Sequence, residues 1–248
     1  MPQSSILVQM LGSGSAFANG RCWSGALADG HVLLDAPPTA LYALKRLGAD
    51  LAALDTVLVS HFHGDHYFGL PFLLLEYAYR THRERPLTIV GPPGIEANTL
   101  TLLRLAYPGL LDRPRGYQLR FVELEGSGRA SVGPLLVESV EVQHGGERLL
   151  ALGFRVHLPG GVLAYTGDSE WCDALVPLGT DARVFLVDAT YPAGAHLPEH
   201  MSLDEVARLR DAISPTTPFI LTHTDADLRP PGWPNTFVAA DLQAFTFS

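Results

Sequence analysis

The chain has 248 residues, with 17 Lys/Arg against 26 Asp/Glu for a formal charge of −9. An acidic chain without a long basic run argues against a dedicated nucleic-acid binder that neutralises many phosphates. Two cysteines, Cys22 and Cys172, cannot make a disulfide framework. The segment 1–5 lacks the basic region and apolar core of an export signal, and no apolar run is long enough for a bilayer, so a cytoplasmic protein without a membrane span is expected. The apolar share of 47% supports one substantial core. With no repeat or Ser/Gly linker, a single domain over 1–248 is expected.

In chain order, short β-rich runs bounded by Gly, Pro, Asp or Ser predict strands at 6–11, 31–34, 56–60, 87–90, 118–123, 135–142, 152–157, 162–166, 184–187 and 219–222. Pro159-Gly160-Gly161 reads as a hairpin turn. Helices are expected at 39–47, stopped by Gly48, at 64–80, at 96–106 and at 202–213, the last opening with the capping-box sequence Ser202-Leu203-Asp204-Glu205. Many strands with few helices point to an α/β architecture of two packed sheets with helices outside.

The strongest chemical signal is Ser60-His61-Phe62-His63-Gly64-Asp65-His66, directly after an apolar strand and before a helix. Three imidazoles and a carboxylate in six residues are hard to explain by packing, because each needs a polar partner when buried. His61 and His63 can point one way from such a turn, while Asp65 and His66 reach a second ion. This donor set suits Zn²⁺ and also Mn²⁺ or Fe²⁺. His144, Asp168 and His223 each follow a strand run and complete a candidate metal shell; alone, any one of them would read as a loop residue or a satisfied core histidine.

These motifs, in the order Asp35, His61–His66, His144, Asp168 and His223, resemble those of metallo-β-lactamase-fold hydrolases along nearly the whole chain. The resemblance implies a four-layer αββα sandwich with a dinuclear site at one edge. It assigns His61, His63 and His144 to one metal, Asp65, His66 and His223 to the other, and Asp168 to both, with Asp35 behind them. Gly167-Asp168-Ser169 has no cysteine at the bridging position, unlike the true β-lactamases; Cys172 reads as structural. His63 excludes the flavodiiron pattern, and Ser169-Glu170-Trp171 departs from the tyrosine that lactonases carry there.

Four segments are similar to the phosphodiesterase branch that includes ribonuclease Z and small cyclic phosphodiesterases: Met10–Ala16, Ile89–Gly94, His200–Glu205 and Leu221–Thr224. Thr224-Asp225 departs from the endonucleases' usual Phe-Ser. His200 lies two residues before the expected helix cap Ser202, beside the positive end of a helix, where an imidazole can bond a phosphoryl oxygen or protonate a leaving group. His196 is the confounder and reads as a bystander; His31, His82 and His157 are given no task. Only 24 positions separate His144 from Asp168, and they already hold a hairpin, so the protruding arm with which ribonuclease Z grips transfer RNA is expected to be absent.

The reading is therefore a dinuclear hydrolase, with zinc the expected metal. Its expected substrates are small or cyclic nucleotide-like phosphodiesters. A metal-bridging hydroxide is the expected nucleophile, oriented by Asp65, and His200 assists the leaving group. A lactonase, thioesterase or β-lactamase-like activity, an arm-less ribonuclease Z activity and a metal-binding protein without turnover are the alternatives. Transfer RNA is disfavoured as a partner, and a homodimer is left open.

Overall fold

A computed structural model describes residues 5–146, 149–195, 197–225 and 227–248; His196 and most of the 1–5 segment lie outside the described residues. Two seven-stranded mixed sheets face each other, with helices on the outer faces. The first sheet has the order β14-β1-β2-β3-β4-β5-β6. Its strands are β1 (Ile6–Gly12), β2 (Gly25–Ala28), β3 (Val32–Leu34), β4 (Thr56–Leu58), β5 (Leu87–Gly91), β6 (Leu119–Glu123) and β14 (Ala244–Phe247). The second has the order β13-β12-β11-β10-β9-β8-β7. It contains β7 (Arg129–Val132), β8 (Leu135–Val142), β9 (Ala151–Leu158), β10 (Gly161–Tyr165), β11 (Val184–Asp188), β12 (Phe219–Thr222) and β13 (Thr236–Val238).

The sheets repeat one pairing scheme. From β14 to β3 neighbours run antiparallel, and from β3 to β6 parallel. The same change occurs at β10 in the second sheet. Inward side chains of both sheets, including Val8, Leu58, Val90, Phe154, Leu163 and Ile220, make the central core. The central parallel strands are buried on both faces, which explains why they read as continuous apolar runs.

On the first sheet pack α1 (Ala40–Arg46), α2 (Gly64–Tyr67), α3 (Leu70–Tyr79) and α4 (Ile95–Ala106); on the second, α5 (Leu175–Gly179) and α6 (Leu203–Ala212). The single helix expected over 64–80 is two helices. Gly69 breaks it: its N–H donates to Ala36 O at 2.8 Å, and a Cβ there would lie 2.1 Å from Pro37 O. Pro71 then sits in the first turn of α3, where its missing N–H costs nothing. Before α6, the Ser202 N–H donates to the Glu205 carboxylate at 2.8 Å, the reach-back expected of a capping box. The expected hairpin is present, with Pro159 and Gly160 joining β9 to β10. Among the described residues no helix is long and apolar enough to cross a membrane.

Candidate metal centre

The C-terminal ends of β3, β4, β10, β11 and β12, with the end of β8, meet along one edge of the sandwich. Each end carries a polar side chain where the apolar run stops: Asp35, the Ser60–His66 turn, His144, Asp168, Asp188 and His223. His63 is the N-cap of α2 and Asp65 lies in its first turn, which separates the directions of the four side chains in the turn. Asp35 and His223 hold left-handed backbone, with φ of 56° and 57°. Such conformations cost on the order of 1–3 kcal/mol and persist where surroundings over-determine them. Gly167, φ 61°, is needed because a Cβ would meet Ser60 Cβ at 2.7 Å, and it turns the chain so that Asp168 enters the site.

Seven predicted residues are brought together in two sets, His61/His63/His144 and Asp65/His66/Asp168/His223, whose ligand-type atoms lie within 4.8 Å of one another in each set. Asp168 stands between them. Its Oδ2 is 3.1 Å from His66 Nε2, 3.2 Å from His223 Nε2, and 3.8 Å from both His61 Nε2 and His144 Nε2. The outer nitrogens are held. His61 Nδ1 meets Ser60 Oγ at 3.0 Å, His66 Nδ1 meets Asp35 Oδ2 at 2.8 Å, His144 Nδ1 meets Glu199 O at 2.8 Å, and His223 Nδ1 meets Thr190 Oγ1 at 3.0 Å. With protons on those nitrogens, the Nε2 lone pairs face inward. His63 presents Nδ1, 3.0 Å from His144 Nε2.

The inward atoms test whether divalent ions fit. His61 Nε2, His66 Nε2, His223 Nε2 and Asp168 Oδ1 are buried without a hydrogen-bond partner. Each orphan costs about 1–3 kcal/mol unless something satisfies it. Imidazole and carboxylate donors converging this way suit a divalent cation. The titration tendencies agree. Burial and neighbouring histidines hold His61 well below the usual imidazole range. Burial would raise Asp65 and Asp168, but the histidines around them outweigh it and keep both below the usual carboxylate range. Burial would depress His66, yet Asp168 and Asp35 push it up. The centre is thus short of positive charge.

The domain family described as "Beta-lactamase superfamily domain" matches residues 31–224. The chain belongs to that family. Ribonuclease Z of Geobacillus kaustophilus is 25% identical over 305 aligned positions, covering 98% of this chain and 92% of the relative. Alignments to several staphylococcal ribonuclease Z chains span only 39% of those relatives. The human tRNase Z short form superposes with a TM-score of 0.78 at 20% identity, covering 98% and 99% of the two chains. A diphosphatase from the PhnP family gives 0.74 at 19% identity, covering 98% of each. These likenesses establish the metallo-β-lactamase fold.

Within this beta-lactamase superfamily chain, sequence reading placed Asp35 behind the inward-facing side chains but missed Tyr165, Thr190 and Asp188, which also stand behind them. Asp35 is buried and accepts from Ser60 N–H, Ser60 Oγ–H, His66 Nδ1–H and Tyr165 O–H, the last at 2.6 Å. Asp188, also fully buried, accepts from Thr190 and from Ser169 N–H, and holds His200 Nδ1 at 2.8 Å. The rule that found Asp168, a carboxylate directly after an apolar strand, would have found Asp188. His200 sits at the rim, its ring stacked 4.9 Å from that of His223. Burial would lower its pKa, but Asp188, by charge and hydrogen bond, and then Asp168 push it up to about 9. His31 pairs with Asp55, His157 with Glu138, and His82 is exposed, so these three stand away from the centre.

Proposed function

We propose that this chain is a metal-dependent phosphodiesterase acting on small phosphodiesters, with zinc as the metal. His61, His63 and His144 would hold one ion, Asp65, His66 and His223 a second, and Asp168 both. Divalent ions there would supply Lewis acidity toward phosphoryl oxygens and an acidified water as nucleophile. The chain's own residues do the rest. Asp65 orients the attacking water. Asp188 fixes the His200 Nδ1–H tautomer and stabilises its imidazolium, leaving Nε2 to give a proton to the departing alkoxide.

The observation that carries this reading is the Asp188–His200 pair at the rim of two converging ligand sets. An anion there would meet an imidazole proton as well as the ions, which a phosphoryl centre with an alkoxide leaving group requires. Ribonuclease Z relatives and the diphosphatase neighbour are consistent with phosphoester chemistry. The preference for small substrates rests on the two-residue turn between β9 and β10, which leaves no protruding arm among the described residues from 149 to 168. The alignment to the G. kaustophilus relative also runs over 305 positions, well beyond the 248 this chain possesses.

The test is a side-by-side assay of zinc-loaded protein on bis(p-nitrophenyl) phosphate, 2′,3′-cyclic nucleotides, precursor transfer RNA, lactones and thioesters. Turnover of the small diesters above all others is expected. Faster turnover of a lactone or thioester overturns the phosphodiesterase reading, and efficient precursor cleavage overturns the small-substrate part.

A further inference from the structure

We propose that a second site, remote from the metal centre, binds a small anion carrying an apolar or aromatic body. The C-terminal halves of α3 and α4 and the loop from 107 to 117 enclose a cavity of about 190 Å³. That is roughly the volume of six waters. Its floor is apolar: Leu74, Ala78, Leu103 and Leu110. Tyr77 and Tyr117 form a wall, their rings 5.8 Å apart and edge to face. His82, Arg113 and Arg115 stand at the opening, and no carboxylate lines the cavity.

Behind the aromatic wall lies a buried charge. Arg83 is 3% exposed, and its guanidinium sits 4.5 Å from the Tyr77 ring and 4.9 Å from the Tyr117 ring. Nε donates to Arg85 O and Nη2 to Pro86 O, while Nη1 is buried with no hydrogen-bond partner. No carboxylate among the described residues pairs with Arg83. A buried cation without a counter-ion is costly, and two π faces relieve only part of that cost. Glu84 contacts His82 at 3.3 Å, but both are exposed and Glu84 does not line the cavity.

The surroundings share this sign. Residues 80–120 hold seven arginines against three acidic residues, in a chain whose net charge is −9. Arg113 is held over Tyr79, its Cζ 4.3 Å from the ring, which places a cation at the mouth at little entropic cost. An apolar floor, an aromatic wall and cations at the opening are the recognition pattern for an amphipathic anion. The volume limits it to a short chain or a single ring bearing one carboxylate or phosphate. The metal centre lies at the other end of these helices, because α3 begins four residues after His66 and α4 starts at the end of β5.

Amide chemical shifts of the metal-loaded protein test the site. Benzoate and phenyl phosphate distinguish the two headgroups, and benzyl alcohol is the neutral counterpart. Saturable shifts of the Ala78, Leu103 and Gly116 amides are expected with at least one anion, at an affinity tenfold or more above benzyl alcohol. Arg113 and Arg115 are exposed, so the double variant Arg113→Gln/Arg115→Gln keeps the fold. It should weaken anion binding at least tenfold, leaving bis(p-nitrophenyl) phosphate hydrolysis unchanged. Shifts confined to the His61–His66 and His223 region, equal binding of the alcohol, or undiminished anion affinity in the double variant would overturn the proposal.

Discussion

At the scale of single residues, the centre separates side chains that face inward from those that aim them. His63→Ala and Asp168→Ala remove inward-facing atoms, so bound metal, counted by elemental analysis, and hydrolysis should fall together. His200 stands beside the two sets, so His200→Ala should retain metal while turnover drops by about 10²–10⁴, the usual contribution of a positioned acid. Asp188→Asn leaves the imidazole in place but removes the carboxylate that raises its pKa. A leaving-group acid must be protonated, so the alkaline limb of the pH–rate profile should move to lower pH in this variant. A purely structural role for Asp188 would lower activity without that displacement.

Asp35 makes a different prediction. All four hydrogen bonds to its carboxylate, from Ser60 (two), His66 and Tyr165, are donated by the partner, so Asp35→Asn forces an amide NH₂ against at least one donor. His66 loses its orienting carboxylate, and metal affinity should fall by about 10–100-fold. Competition with a chromophoric chelator measures that loss, and an unchanged affinity would show that Ser60 and Tyr165 suffice to place His66.

At the scale of elements, legibility followed composition more than burial: β2 is fully buried and went unread, while the partly exposed edge strand β6 was read. Each strand expected from an apolar run has a counterpart, because the central strands are covered on both faces and leave a strong compositional mark. The four unread strands lack it. In β2, Gly25-Ala26-Leu27-Ala28 has no β-branched residue, while β7, β13 and β14 are sheet edges with partly exposed patterns. The 64–80 helix was misread because Gly69 breaks it through a contact with residues 36–37, distant in sequence. Four of the inward-facing residues were legible because they cluster in the 61–66 motif, and His144, Asp168 and His223 because each follows an apolar strand run. Asp188 was open to the strand-end rule that found Asp168, whereas Thr190 and Tyr165 were not legible, since each acts through a partner that only the fold supplies.

Contacts between elements also carry a pH-dependent part of the stability. Glu76 of α3 accepts from Lys45 of α1 at 2.7 Å and from Thr81 at 3.0 Å. Burial would raise its carboxyl, but those hydrogen bonds and the Lys45 charge outweigh it and hold the pKa below the usual value. A pKa depressed in the folded state gives stability that is complete above the unfolded value, about 4.3 for Glu, and lost as pH falls through the folded one. Glu76→Gln should therefore cost about 1 kcal/mol at pH 7, a modest figure because Lys45 is half exposed. Urea midpoints should differ between variant and parent at pH 7 and converge as pH falls through the lowered Glu76 pKa. A constant difference across that range would mean packing, not charge, carries the effect.

At the scale of the whole molecule, the repeated pairing scheme explains where the centre lies. Each sheet changes from antiparallel to parallel pairing at a middle strand, β3 in one and β10 in the other. The C-terminal ends of the parallel strands in the two halves open at the same edge. The first sheet's half contributes His61, His63, Asp65 and His66, and the second contributes His144, Asp168 and His223. A divalent ion held between these sets would tie together residues as distant as 61 and 223, across the seam between the sheets. Metal that binds the folded chain and not the unfolded one stabilises it by RT ln(1 + [L]/Kd), about 2.7 kcal/mol at a hundredfold excess over Kd. A chelator should therefore lower Tm by several degrees, zinc should restore it, and Asp168→Ala, which removes the carboxylate shared by both sets, should respond far less to either. Carboxylates at the seam face buried lone pairs that only a cation or protons satisfy, so the chelated protein should also exchange amide hydrogens faster at the ends of β4, β10 and β12 than in β8. Uniform protection across both sheets after chelation would place the cohesion in the apolar core between them, independent of the ions at the edge.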